Sequence, residues 1–227
     1  ILTGSLTRLM FGIWADQYGG RIIFFIIMIV SSICTYLLSV VSTYNMYLLV
    51  ALGVGVAGGS FPVGITYVSS FFPIRQQGTV LGIYGMGNVG AAITNFVAPF
   101  LLVSYGWISV TKIYAVSLII VAVFFILFTE DDPNIKNRKK HNLKPQKFID
   151  QIEPLKYMQI WRFSFYYLFV FGAFLALALW LPKYYMSVYG VSIKTACILT
   201  SLYSMPGGVF RACVGWASDY FGARKVM

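Results

Sequence analysis

Apolar residues run through this chain in long unbroken blocks, and polar residues interrupt them only briefly. No charged residue occurs between Arg21 and Arg75, nor between Arg75 and Lys112. Such blocks exceed what a strand or a buried core helix needs and suit bilayer-spanning helices of ~20 residues. The pattern predicts helices over 1–15, 22–42, 46–71, 79–103, 111–128, 161–181 and 194–217. Thr43-Tyr44-Asn45 makes one break, and Pro73 with Arg75 makes the next. Ser104-Tyr105-Gly106-Trp107 makes another, with aromatics suited to a membrane–water interface. Residues 130–156 are different: polar and basic, they read as a solvated linker with room for a surface helix over 148–157.

One short pattern occurs twice. Arg8, Gly12, Asp16, Gly19 and Arg21 return as Arg211, Gly215, Asp219, Gly222 and Arg224, each pair separated by the same 203 positions. Two charged residue types and two glycines rarely fall in register by chance between apolar helices, so the chain contains an internal structural repeat. Each copy starts inside an apolar block and ends in a short polar loop. From Asp16 back to Arg8 is ~12 Å of helix at ~1.5 Å per residue. Half of a hydrocarbon core is ~15 Å. With Asp16 and Asp219 at the membrane surface, Arg8 and Arg211 lie near the midplane.

Composition agrees with a membrane protein. The 227 residues are 59% hydrophobic and 11% charged, against about a quarter charged in soluble domains. Ile1 is not Met and already lies in an apolar block, and the 211–224 motif leads toward a further helix, so the chain reads as an internal piece of a longer protein. The net charge of +10 could suggest nucleic acid, but the cations follow the loops. Of the 17 Lys and Arg, all but Arg8, Arg211, Lys112, Lys183 and Lys194 fall on the side of the two repeated loops and the linker. The positive-inside rule makes that side cytoplasmic. Topology therefore explains the charge, and no nucleic-acid partner is expected. Cys34, Cys197 and Cys213 sit in apolar blocks without metal spacing and read as small buried hydrophobes.

The seven acidic residues, Asp16, Glu130, Asp131, Asp132, Asp150, Glu153 and Asp219, all lie at the predicted cytoplasmic edge or in the linker. None accompanies Arg8 or Arg211 into the membrane. A central arginine costs ~2.5–3.5 kcal/mol on insertion scales. Two of them ~8 Å apart would repel by ~2 kcal/mol at an effective dielectric of ~20. A guanidinium fork suits a carboxylate, phosphate or similar oxyanion, so the missing negative charge is expected to arrive as substrate. The competing explanation is snorkelling, or carboxylates on helices outside the chain. Gly53, Gly55, Gly58, Gly59 and Gly64, with Gly82, Gly85, Gly87 and Gly90, would let helices approach closely. Asn88 is either an amide donor to an oxyanion or helix-packing glue. Tyr167 and Phe171 share a helix face and, with Phe61, could sandwich a planar anion. His141, among linker cations, reads as a solvated surface residue. No nucleophile–base pair, phosphate loop or metal cluster is found, so neither an enzyme nor a cofactor is expected.

The loop motif Gly12-x-x-x-Asp16-x-x-Gly19-Gly20-Arg21 resembles that of the major facilitator superfamily, with Gln17 and Tyr220 where a basic residue often follows the Asp. Within it, the segment from Gly85 through Asn88 to Pro99 is similar to the signature of the nitrate/nitrite porter family. Phe71-Phe72-Pro73 with Gly78, and Pro206-Gly207-Gly208 ahead of Arg211, support the resemblance. It implies an all-α membrane protein covering about helices 2 to 8 of 12. Residues 1–129 would be the N-terminal half without its first helix, 130–160 a cytoplasmic linker, and 161–227 the start of the second half. It implies Arg8 and Arg211 as the substrate arginines, Phe61 and Phe171 as ring contacts, and Asn88 and Tyr167 as donors. It further implies Gly85, Gly87 and Gly90 as signature glycines, and two loop motifs acting as a conformational latch. The expectation is a monomeric nitrate/nitrite transporter of the cytoplasmic membrane working by alternating access, either as an exchanger or coupled to protons. The rivals are a porter for organic phosphates or carboxylates and a nitrate sensor that does not transport.

Overall fold

The computed structural model describes residues 2–141 and 153–226, and every regular element among them is helical. The first, α1 (Leu2–Tyr18), runs into α2 (Gly20–Leu37) through Gly19 alone. Gly19 has φ 104°, and its repeat counterpart Gly222 has φ 88°. Both copies of the motif therefore turn on a backbone that side-chain-bearing residues rarely adopt, which explains why glycine recurs there. Next come α3 (Tyr44–Gly55), a 3-10 stretch Val56–Gly59, and α4 (Ser60–Ser69), together one continuous rod.

The next rod begins with a 3-10 turn, Ile74–Gln76, and continues as α5 (Gln77–Gly85). A second 3-10 stretch, Met86–Asn88, leads into α6 (Val89–Phe128). Gly106, with φ 76° and ψ 168°, breaks α6 where the aromatic turn was expected. The chain then returns: the Phe125 ring lies tilted against Tyr67, whose hydroxyl donates to the Glu130 carbonyl at 2.5 Å. After α7 (Pro133–Lys140) and a 3-10 turn, Glu153–Lys156, the last long helices are α8 (Met158–Tyr189) and α9 (Ile193–Phe221). A single turn, α10 (Ala223–Val226), follows.

Among the described residues, four stretches are long and apolar enough to cross a membrane: Gly20–Leu37, Tyr44–Ser69, Ile74–Phe128 and Met158–Tyr189. The third holds 55 residues and is the one bent at Gly106. Helix α8 runs through Pro182, just beyond its predicted limit at 181, and ends at the left-handed Gly190, and α9 passes its limit at 217 and ends at Gly222.

Few side chains are shielded from solvent, as expected where lipid covers the surface. The best-packed cluster is Ala15, Ile23, Ile27 and Val63, flanked by Phe11 and Phe24. Helices are joined by hydroxyls donating to carbonyls of neighbouring helices. Ser32 Oγ donates to Ala115 O at 2.8 Å, and Ser201 Oγ to Ala92 O at 3.0 Å. Without water, such bonds satisfy polar groups that would otherwise be costly to bury.

The linker departs from the solvated reading at its start. Ile135 is buried, its Cγ1 lying 3.6 Å from where a Cβ on Gly19 would stand. Arg138 donates to the Asp16 carbonyl, so α7 docks on the first repeated loop. Most of the expected surface helix over 148–157 lies outside the described residues; Glu153–Lys156 makes one 3-10 turn.

Candidate functional site

The site is built where two apolar rods lose α-helical regularity at their glycines. In the first rod the 3-10 stretch Val56–Gly59 precedes Pro62. Proline has no N–H, so the Gly58 carbonyl lacks its normal i+4 donor. Arg8 Nε takes that carbonyl instead, at 3.2 Å. This fixes one guanidinium in a part-buried position on α1. The counterpart, Arg211 on α9, lies against α5 and is also part-buried. A Cβ on Gly85 would stand 3.2 Å from Arg211 Cδ, so the absent side chain at Gly85 makes room for the arginine.

Both guanidiniums converge on one ring. The Arg8 Cζ lies 6.0 Å and the Arg211 Cζ 5.3 Å from the centroid of Phe171, on α8. Tyr167 stacks on that ring at 5.0 Å and 16°, and Phe61 lies nearly parallel to it at 6.5 Å and 19°. Phe61 also meets Tyr84, whose hydroxyl donates to Phe61 O at 3.3 Å. A cation over a ring face is stabilised by ~0.5–2 kcal/mol, so Phe171 offsets part of the cost of holding two arginines together. Neither arginine has a carboxylate partner among the described salt bridges, which are Arg21–Asp131, Lys136–Glu130 and Lys156–Glu153.

Beside this cluster is a cavity of about 500 Å³, lined by Arg8, Gly58, Tyr167 and Phe171 and by the hydroxyls of Ser5 and Ser164. Arg211 is not among its lining residues and meets the group through Phe171. Four of the expected contact residues, with Phe61 beside them, thus stand together. Asn88 is not among the residues lining the cavity, and its Nδ2 donates to Gly85 O at 2.9 Å, three residues back. Gly87 and Gly90 are not at a close approach either. A Cβ on either meets nothing within 4 Å among the described residues. Close approach falls instead on Gly78, Gly82, Gly85 and Gly215, where α5 meets α9. Pro62, Ser5 and Ser164 were not singled out from sequence; the proline four residues after Gly58 was the signal available.

The two repeated loops do different work. Asp219, beyond the apolar run of α9, accepts from Gly78 N at 2.9 Å, Thr79 N at 2.6 Å and Thr79 Oγ1 at 2.7 Å. It thereby caps the orphan N–H groups that begin α5, where the helix dipole favours an anion. The Thr79 side-chain and backbone bonds, with help from Gly78, hold its carboxyl below the ordinary carboxylate value despite opposing desolvation. Asp16, past the end of its own apolar run, is pushed up by burial, opposed by Arg138 and reinforced by Asp132. Arg21 pairs with Asp131 at 2.9 Å and donates to Ile126 O at 2.6 Å, a carbonyl in the last turn of α6. Its counterpart Arg224 is exposed. Gly12 lies free of close neighbours, whereas Gly215 touches the backbone of Gly78 and Gly82.

Comparison with known proteins adds to this geometry. The family model described as Major Facilitator Superfamily matches residues 1–227. A probable nitrate/nitrite antiporter, NarK1, of Thermus thermophilus is 42% identical over 239 residues, covering all of this chain and 53% of that protein. A probable nitrate/nitrite transporter, NarK2, of Mycobacterium tuberculosis is 31% identical, covering all of this chain and 57% of its own length. The nitrite extrusion protein of Bacillus subtilis is 26% identical, covering 100% and 56%. The chain thus spans about half the length of the curated relatives it matches.

Proposed function

Because the chain belongs to the major facilitator superfamily, as an all-α multi-pass membrane protein, we propose that it forms the substrate-holding part of a nitrate/nitrite transporter. The observation that carries this reading is the pair of arginines, one from each copy of the repeat, aimed at a single Phe171 ring without carboxylate partners among the described ion pairs. Two fixed cations brought so close repel until an anion enters. A small planar oxyanion offers each guanidinium two acceptor oxygens, and the parallel rings of Phe61, Phe171 and Tyr167 make a slot for a flat ion. Ser5 and Ser164 supply further donors in the adjoining cavity. The relatives named above are nitrate or nitrite carriers by their own descriptions, which agrees with this chemistry.

In this mechanism residues 1–129 belong to one half, 130–160 to a cytoplasmic linker and 161–227 to the other half, corresponding to about helices 2 to 8 of 12. Anion binding relieves the repulsion between Arg8 and Arg211 and lets the halves close around it, which favours a state the empty site disfavours. The Asp219 cap on α5 holds the halves together on the linker side in the conformation seen here. Asn88, bonded to its own turn, has a second amide hydrogen for the anion.

The test is anion flux into proteoliposomes carrying the full-length protein. Arg8→Gln and Arg211→Gln should each abolish saturable nitrate uptake. Retention of saturable uptake by either variant refutes the two-arginine site. Displacement of nitrate by phosphate esters would favour an organic-phosphate porter instead. Flux with nitrite trapped inside, with and without a pH gradient, separates exchange from proton coupling.

A further inference from the structure

A second cavity lies on the seam between the two halves, away from the arginine cluster. It is a groove of about 330 Å³ between α6 and α9, lined by Val89, Ile93, Phe96, Ile198, Leu202 and Met205. We propose that this groove binds a membrane phospholipid, its acyl chain lying between the helices and its anionic headgroup at Lys194.

The walls carry no usable polar group. The one hydroxyl at the floor, Ser201 Oγ, donates to the carbonyls of Ala92 and Cys197. The walls are also open outward: Ile93 is 58% exposed, Leu202 63% and Met205 52%. No helix of the described chain covers them. Helix α8 packs on a different face of α9, where Phe174 lies against Tyr203 and Gly207. The arginine that reaches Phe171 is on that side too. An apolar channel facing away from the substrate residues suits hydrocarbon rather than anion.

The charge at its mouth selects the headgroup. Lys194 precedes Ile198 by one helical turn and stands at the start of α9, the end opposite Asp219. Its Nζ lies 5.3 Å from the ring of Phe100, and that ring lies 5.5 Å from Phe96 in the groove wall. The ammonium therefore sits at the continuation of the groove and has no carboxylate in the described salt bridges. A lysine lying along an aromatic wall with its charge toward the surface meets a lipid phosphate at the depth where phosphates lie. The occupant would touch α6 and α9 together and so would brace the seam.

The test uses full-length protein, delipidated and titrated with phosphatidylglycerol or phosphatidylcholine, with bound lipid counted by native mass spectrometry. Wild type should retain one phosphatidylglycerol about fivefold more tightly than Lys194→Gln, the effect of one lysine near an anionic headgroup. Leu202→Trp, which fills the groove, should lose both lipids; Ile93→Trp does the same from the opposite wall if Leu202→Trp fails to fold. Equal phosphatidylglycerol retention by wild type, Lys194→Gln and the groove-filled variant overturns the proposal. Displacement of the lipid by soluble glycerol 3-phosphate overturns the acyl-chain part. A cross-link from Leu202→Cys to a segment following residue 227 overturns it as well, by making the occupant another helix.

Discussion

Three glycines on one rod should respond to the same added methyl in three different ways. Replacing glycine by alanine in a helix interior stabilises by ~0.5–1 kcal/mol, through lost freedom of the unfolded chain. Against that stands whatever the new Cβ meets. At Gly82 it would stand 2.6 Å from the Arg211 carbonyl oxygen and 3.2 Å from the Cα atoms of Ala212 and Gly215, all backbone and unable to yield. Overpacking of that kind costs ~1–3 kcal/mol, so Gly82→Ala should be destabilising on balance. At Gly85 the neighbours are Arg211 Cδ at 3.2 Å and Cβ at 3.7 Å, atoms of a flexible side chain. The arginine gives way, stability changes little, and the guanidinium leaves its position over Phe171. Losing one charge-assisted contact of ~1.5 kcal/mol weakens anion affinity by about tenfold. At Gly87 nothing lies within 4 Å, so Gly87→Ala should be neutral or slightly stabilising and should transport normally. Thermal unfolding of the purified full-length protein and the half-saturating nitrate concentration in proteoliposomes read the two effects separately. If Gly87→Ala loses as much as Gly82→Ala, or if Gly85→Ala leaves affinity unchanged, the packing of α5 on α9 described here is wrong.

Pro62→Ala restores an N–H that competes with Arg8 for the Gly58 carbonyl. The fold should gain stability while nitrate half-saturation rises severalfold; unchanged half-saturation would show that the freed carbonyl does not position Arg8. Asp219 has a lowered pKa, so its cap is complete above the ordinary carboxylate value of 3.8 and is lost only as pH falls through the lower folded value. Amide exchange at Gly78 and Thr79 should therefore stay protected from pH 5 to 8 in wild type and weaken across that range in Asp219→Ala. Loss of protection in wild type between pH 6 and 5 would contradict the sign. Arg21→Gln removes an ion pair and a helix-terminus bond and should cost about 1 kcal/mol by thermal unfolding, without changing nitrate half-saturation.

The helical rods and the repeat were legible because hydrocarbon leaves the backbone few options and because charge in the membrane is rare enough to count. The arginines could be named for the same reason, whereas the rings of Phe61, Tyr167 and Phe171 were picked out of the many aromatics by the resemblance to the nitrate/nitrite porter family. The direction of Asn88 could not be named: an amide in a helix can reach its own preceding turn, and sequence does not say whether it will. Nor could the glycines be ranked. Gly82, Gly85 and Gly87 share one run, and only the position of α9 decides which of them faces a backbone and which faces open space. The docking of Ile135 and Arg138 on the first loop was hidden by composition, since a basic linker reads as solvated wherever its few apolar residues point.

The same packing ties Arg211 to Asp219. Arg211, Gly215 and Asp219 are four residues apart and present one face of α9. Along α5 they meet Gly85, Gly82 and Gly78 in antiparallel order. Eight residues, ~12 Å of helix, separate the guanidinium-bearing position from the carboxylate that caps α5. Between them the contact is glycine against backbone, without side chains that interlock. Such a face resists separation through its close fit yet offers little resistance to sliding. A shift of Arg211 toward a bound anion must therefore travel along a stiff rod to Asp219, where it strains three hydrogen bonds at the start of α5. On the proposed function, occupancy of the site and release of the linker-side closure are two ends of one rigid-body movement.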